Sequence, residues 1–308
     1  MGKVAFVFPG QGAQKVGMGK EAHDASPEAR AVFEAADAAL GEPLSTLCFE
    51  GPEESLKLTA NTQPAVLTTS IALLRAFGEE PDVTAGHSLG EYSANVCAGT
   101  ISFEDAVRIV RVRGTYMQEA VPVGEGAMAA VMKLERDAVD RICFETDGVV
   151  EPVNYNSPGQ IVIAGAADAV ERASEALEQA GGRSIPLPVS APFHSSLMKP
   201  AEDRLHPHLR DTPFADPRHP IWVNVDAQPV TTGDLAREAL VRQVSRPVRW
   251  DESVRHMVEG GVTLFVEIGP GRVLAGLIAR ISKDVGRINV ETPADFDAAR
   301  AAIRAARG

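Results

Sequence analysis

Apolar positions along the 308-residue chain follow two alternating rhythms. Short β-branched runs give way to Ala/Leu/Glu/Arg-rich stretches whose apolar residues recur every three or four positions, the pattern of an α/β fold with a largely parallel sheet. Predicted core strands are Val4–Phe8, Asp82–Ala85, Ile221–Val225, Leu264–Ile268 and Ile288–Val290. Predicted helices include Glu28–Leu40, Gln63–Phe77, Leu89–Ala98, Phe103–Glu119 and Ser253–Glu259. Gly114 weakens the far end of the fourth of these.

Between about Gly124 and Pro188 the rhythm changes. Ala127–Met132 reads as a strand, Glu135–Glu145 as a helix, and Val149–Asn154 and Gln160–Ala164 as strands around Asn156-Ser157-Pro158-Gly159. Ala167–Ala180 is helical and Arg183–Leu187 is a last strand. The order β-α-β-β-α-β is the split βαβ, or ferredoxin-like, motif. The expected organisation is a large α/β domain, 1–123 with 189–308, interrupted by a small subdomain at 124–188. Pro293–Gly308 reads as a terminal surface helix.

Gly86-His87-Ser88-Leu89-Gly90 matches G-x-S-x-G, between a predicted strand and a predicted helix. A serine on such a sharp turn stands exposed at the carboxyl edge of the sheet, and glycines on either side let the backbone fold without Cβ clashes. The opening helix also offers free N–H groups to a developing oxyanion. The same residues also describe an ordinary strand-to-helix turn rich in small side chains.

A nucleophilic serine needs a base. Of the seven histidines, His87 is expected to point away from the serine and pack. His206 and His208 flank Pro207, His219 sits between Arg218 and Pro220, and all three read as surface-loop residues. His256 lies on an amphipathic helix. His194, in Val189–Ser195, sits on the loop that leaves the small subdomain, where a base can face a cleft between two subdomains; a loop or capping role fits that position too. No acidic partner stands out, and the ordinary hydrolase order, with its histidine late in the chain, fits poorly.

Charge and composition narrow the field. Thirty basic against 42 acidic residues leave a net −12, and 5% aromatics provide little base-stacking surface, so a general nucleic-acid binder is not expected. No stretch of eighteen apolar residues predicts a membrane span, and the Met1–Pro9 stretch is too short for a leader core. Cys48, Cys97 and Cys143 are odd in number and form no CxxC, which points away from disulfides and zinc and towards a reducing, cytoplasmic setting. Gly10-x-Gly12 lacks the third glycine of a dinucleotide loop, that position being Lys15.

Eight ordered segments together resemble the malonyl-CoA:acyl carrier protein transacylases, the acyltransferases of fatty-acid and polyketide synthesis. They are Phe8–Gln14, Asn61–Ala65, Gly86–Glu91, Arg111–Gly114, Asn156–Gln160, Ser190–His194, Gln243 with Pro247–Trp250, and Glu267–Gly271. The resemblance implies an α/β-hydrolase-like domain with a ferredoxin-like insert. It implies that Ser88 is the acyl-accepting nucleophile, His194 its base, and the backbone carbonyl of Gln243 the group that orients the histidine. The backbone N–H groups of Gln11 and Leu89 would form the oxyanion hole. Arg113 would grip the malonyl carboxylate, with Gln63 beside it; by spacing alone, Arg113 reads more readily as a solvated helix charge, and the resemblance reverses that. Phe193 would bear on acyl size.

The implied partners are malonyl-CoA and holo-acyl carrier protein, with no metal or redox cofactor, no nucleic acid and no membrane, in a monomer. The chain length leans towards fatty-acid rather than polyketide synthesis. Because both partners are acidic, a local basic rim is expected, with Arg242, Arg246 and Arg249 as candidates. A thioesterase with the same elbow and a non-enzymatic scaffold are the rival readings. A buried Arg113 would argue against the first and the intact Ser88, His194 and Gln11 against the second.

Overall fold

Strand β1 (Lys3–Phe8) is buried on both faces from its second residue onward. Val4, Phe6 and Phe8 pack into one core with the helices Pro27–Leu40, Thr59–Phe77 and Phe103–Glu119. Ala5 and Val7 enter another, with Trp250, Val254, Leu274 and Ile278 from the helices Trp250–Glu259 and Val273–Ile281. Period-2 alternation with apolar residues on both faces is what a parallel strand between two helical layers requires. The computed structural model describes residues 2–189 and 191–308. Ser190, part of the Ser190–His194 segment singled out above, and Met1 lie outside the described residues.

The remaining strands are β2 (Val83–Gly86), β3 (Gly126–Met132), β4 (Val150–Ser157), β5 (Gln160–Ala166), β6 (Arg183–Pro186), β7 (Ile221–Val223), β8 (Gln228–Val230), β9 (Val262–Ile268) and β10 (Gly286–Val290). The larger sheet runs β10-β9-β1-β2-β7-β8, parallel except for β8, which pairs antiparallel with β7. The fold is thus mixed α/β around a mostly parallel sheet. β8 went unpredicted because Gln228-Pro229-Val230 carries no hydrophobic alternation; it is an edge strand, where proline is tolerated.

The smaller sheet is antiparallel, in the order β4-β5-β3-β6. Ala129, Val131, Ile161 and Ile163 pack under the helices Arg136–Glu145 and Ala167–Gln179. Met128, Val162 and Ala164 face the other way, and Leu187, Val189 and Phe193 pack against them. β4 extends to Ser157, so the predicted connection tightens to a two-residue turn at Pro158-Gly159. Backbone bonds from Tyr155 N to Val248 O (2.9 Å) and from Val248 N to Val153 O (2.8 Å) stitch this sheet to the segment after Gln243.

Two expectations are corrected. His206 and His208 lie on a helix, Lys199–Asp211, that carries Pro207 inside it. Ala201, Leu205 and Leu209, spaced four apart, bury one stripe of that helix and hold it despite the backbone donor that proline removes. The helix Phe103–Glu119 runs unbroken through Gly114. A Cβ at Gly114 would stand 2.6 Å from the Thr59 carbonyl oxygen, so glycine there permits close approach of the helix Thr59–Phe77. The terminal helix, Phe296–Arg307, follows a short 3-10 turn at Pro293–Asp295. The three cysteines are free and buried, and among the described residues no helix is long and apolar enough to cross a membrane.

Candidate active site

The carboxyl edge of the larger sheet gathers the site, because β1, β2 and β7 are neighbours there and a polar residue of the site follows each within three positions. Gln11 lies three residues past β1, Ser88 two past β2 and Asn224 one past β7. The elbow at Ser88 is held in a left-handed conformation, φ 51°, a costly one for a serine. Its glycines are required by space. A Cβ at Gly86 would fall 1.9 Å from the carbonyl carbon of Gly90, and one at Gly90 would fall 2.0 Å from Phe8 O. Asn224 braces the turn: its Oδ1 accepts from Ser88 N at 2.7 Å and its Nδ2 donates to Gly86 O at 2.7 Å.

His194 is buried, with its Nε2 2.7 Å from Ser88 Oγ and its Nδ1 2.7 Å from the backbone carbonyl of Gln243. A carbonyl can only accept, so the proton resides on Nδ1 and the Nε2 lone pair faces the serine hydroxyl. Burial, then the neighbouring Arg113 charge, pulls the His194 pKa down to about 3, opposed by the Gln243 carbonyl. The imidazole is therefore a neutral acceptor at neutral pH.

Arg113 is 1% exposed. Its Nη1 donates to Gln63 Oε1 (2.8 Å), and its Nη2 donates to Gln243 Oε1 (2.9 Å) and Ser88 Oγ (3.2 Å). Burial lowers its pKa, yet an arginine stays charged. Among the described residues no carboxylate bonds to it directly. Tyr92 stacks near it, the guanidinium carbon 5.4 Å from the ring centre.

A cleft of about 440 Å³ opens above Ser88. Gln11, Gln63, Leu89, Arg113, Phe193 and His194 line it, and Met128 and Leu187 close it from the smaller sheet. Phe193 packs on both the large helical core and the apolar layer of the smaller sheet. The backbone N–H groups of Gln11 and Leu89 find no acceptor among the described residues. All eight residues singled out from the sequence thus converge, seven in contact with or lining the cleft and Gln243 directly behind it.

Three corrections concern the surroundings. His87 does pack, its ring 5.8 Å from that of Trp250, but it also lines the cleft, with Nε2 2.8 Å from Asn156 Oδ1. The expected basic rim does not form as a free patch: Arg242 grips Asp226 through two bonds of 2.8 and 2.6 Å, Arg249 pairs with Glu252, and neither they nor the exposed Arg246 line the cleft. Two buried polar residues, Asn224 and Glu91, were missed. Glu91 Oε2 accepts from Asn224 N and Gln243 Nε2, both at 2.8 Å. Burial pushes its carboxyl up to about 7. An acid in the first turn of the helix after the elbow was the available signal; Asn224 offered none beyond its place after a strand.

The model of the acyl transferase domain matches residues 5–294. The chain belongs to that family. Among acyl transferase relatives, the malonyl CoA-acyl carrier protein transacylase of Bacillus subtilis (strain 168) is 48% identical over 306 residues, covering 97% of this chain and 96% of its own. The crystal structure of an acyl carrier protein S-malonyltransferase from Vibrio cholerae superposes with a TM-score of 0.94 at 47% identity, covering 96% of this chain and 99% of its own. A malonyl-transacylase solved in complex with its type II PKS acyl-carrier protein gives 0.94 at 46% identity, covering 96% and 98%.

Proposed function

We propose that this acyltransferase moves the malonyl group from malonyl-CoA to the phosphopantetheine thiol of acyl carrier protein, supplying extender units for fatty-acid synthesis or for polyketide synthesis. The observation that carries the reading is the buried Arg113 guanidinium 3.2 Å from Ser88 Oγ. A planar pair of donors there suits a free carboxylate beside a reacting carbonyl, and a neutral acyl chain would leave the cation unpaired. That makes a thioesterase of neutral acyl groups the poorer reading.

Ser88 Oγ attacks the thioester carbonyl while His194 Nε2 takes its proton and passes it to the departing CoA thiolate. The carrier thiol then gives its proton to His194 and attacks malonyl-Ser88, and His194 returns that proton to Ser88 Oγ as the ester bond breaks. The Gln11 and Leu89 N–H groups hold the oxyanion in both halves, Gln63 fixes Arg113, the Gln243 carbonyl stabilises the histidine as it becomes charged, and Phe193 limits acyl bulk. CoA and phosphopantetheine enter as parts of the substrates, and the reaction as written uses no metal or redox cofactor.

The strand order of the smaller sheet supports a ferredoxin-like subdomain at 124–188, inserted into an α/β-hydrolase-like domain of 1–123 and 189–308. The free, buried cysteines fit a reducing, cytoplasmic setting. Intact-mass measurement after mixing with malonyl-, methylmalonyl- and acetyl-CoA tests the reaction. A malonyl adduct on the wild type that Ser88→Ala abolishes is expected; an adduct persisting in Ser88→Ala overturns the assignment.

A further inference from the structure

Among the described residues the buried Arg113 charge has no directly bonded carboxylate, but it is wired to one. Arg113 Nη2 donates to Gln243 Oε1, and the other end of that carboxamide, Nε2, donates to Glu91 Oε2. The guanidinium offers only donors and the carboxylate only acceptors, so the amide has a single orientation that serves both. Nε2 also lies 3.0 Å from Ser88 O and 3.3 Å from Asn224 Oδ1, which reinforces the same orientation. The main chain of Gln243 meanwhile holds His194. Glu91 itself is fully buried, and its second oxygen, Oε1, has no hydrogen-bond partner among the described residues.

We infer that Glu91 is a positioning residue that sets the strength of the arginine clamp: through Gln243 it orients the amide oxygen towards Arg113 and supplies the counter-charge that a substrate carboxylate must compete with. The inference rests on the malonyl transfer proposed above. In the unacylated enzyme above pH 7, where the Glu91 carboxyl is ionised, its charge compensates the buried cation, which lowers the cost of holding it out of water. When an acyl carboxylate arrives at Arg113, two negative charges share one guanidinium, and the second is held less tightly than it would be alone. Glu91 thereby trades affinity for release, so that the dicarboxylic acyl group leaves for the carrier thiol.

Glu91→Gln separates charge from hydrogen bonding. Both donors converge on Oε2, so a glutamine with its oxygen in that place keeps both bonds and puts its amino group where Oε1 has no partner. With malonyl- and acetyl-CoA in single-turnover acylation of the intact enzyme at pH 8.5, above the Glu91 value of about 7, Glu91→Gln is expected to lower half-saturation for malonyl-CoA and raise the malonyl/acetyl preference by about tenfold, with the maximal malonylation rate within about twofold of wild type. In the Arg113→Ala background the substitution leaves the ratio unchanged.

An unchanged or reduced ratio in Glu91→Gln overturns the inference, as does an equal rise without Arg113. If Glu91→Gln alone does not fold but the double variant does, the uncompensated cation is the cause and the inference stands; if both fail to fold, it falls. Absence of a malonyl adduct on the wild type would instead overturn the proposed reaction.

Discussion

Glu91 and Glu267 are both buried carboxyls beside the larger sheet, and burial pushes each up to about 7. Their partners differ. Glu267, on β9, accepts from Leu274 N (3.0 Å) and Ala275 N (2.7 Å) at the start of the helix Val273–Ile281, and from Asn289 Nδ2 (3.2 Å). Both of its oxygens are used, and its charge faces the positive end of a helix. Glu91 uses one oxygen, and its bonds lead through Gln243 to a cation and a nucleophile. Similar burial and similar shifts therefore accompany unlike roles, one fastening a helix to a strand and the other tuning a site. What separates them is the far end of each hydrogen bond.

Substitutions at and around the two carboxyls separate these roles. The largest effect is expected from Arg113→Ala. It removes the cation that Glu91 serves and should reduce the malonyl/acetyl preference by about 10²-fold, in line with a buried charge pair of several kcal/mol; competitive acylation with both thioesters reads it, and an unaltered preference would mean the clamp lies elsewhere. Gly114→Ala should come next. Its Cβ meets backbone of the helix carrying Gln63, so about 1–3 kcal/mol of stability should go, together with much of the malonyl preference, as Arg113 shifts from Gln63. Denaturant melts alongside acylation assays would show whether both fall together.

Glu267→Gln is expected to cost about 2 kcal/mol, since one of its oxygens becomes a donor facing an N–H, and to leave acyl choice alone. Malonylation of Ser88 should restore thermal stability to Glu91→Gln but not to Glu267→Gln. A shift in acyl preference in Glu267→Gln as large as that in Glu91→Gln would erase the distinction drawn here.

The smallest effect concerns pH. His194 faces Ser88, Gln243, Arg113 and His87, and its pKa is about 3, so maximal malonylation should stay flat from pH 8 to about 5 instead of halving near the ordinary histidine value of about 6.5. Stability has the opposite signature. The unfolded chain protonates this histidine near its ordinary value while the folded chain keeps it neutral, so the histidine's contribution is full above that pH and is lost as pH falls towards 3. Stopped-flow acylation and pH-dependent melts separate the two.

Much of the fold was legible because its central strands are short, apolar and bounded by turn residues, as at Val4–Phe8 and, Glu267 apart, Leu264–Ile268. β8 was not, since an edge strand of Gln228-Pro229-Val230 has no buried face to announce. His206 and His208 were misread because a proline outweighs a four-residue apolar spacing when burial is unknown. At the site, Gly86–Gly90 was readable from local sterics. The places of His194, Arg113 and Gln243 came from ordered resemblance, because their separations of 106, 25 and 155 residues from Ser88 carry no periodic signal.

The amino-acid order carries what depends on neighbours along the chain: most strands and helices, the strained serine turn and the stock of groups able to react. Which of those groups meet depends on packing in three dimensions. Asn224 reaches the elbow because β7 lies beside β2, and Glu91 reaches Arg113 because one carboxamide spans the gap between them. Hydrogen bonds and buried charges act over a few ångströms of space, and the packing of the sheet and its helices, rather than distance along the chain, sets that space.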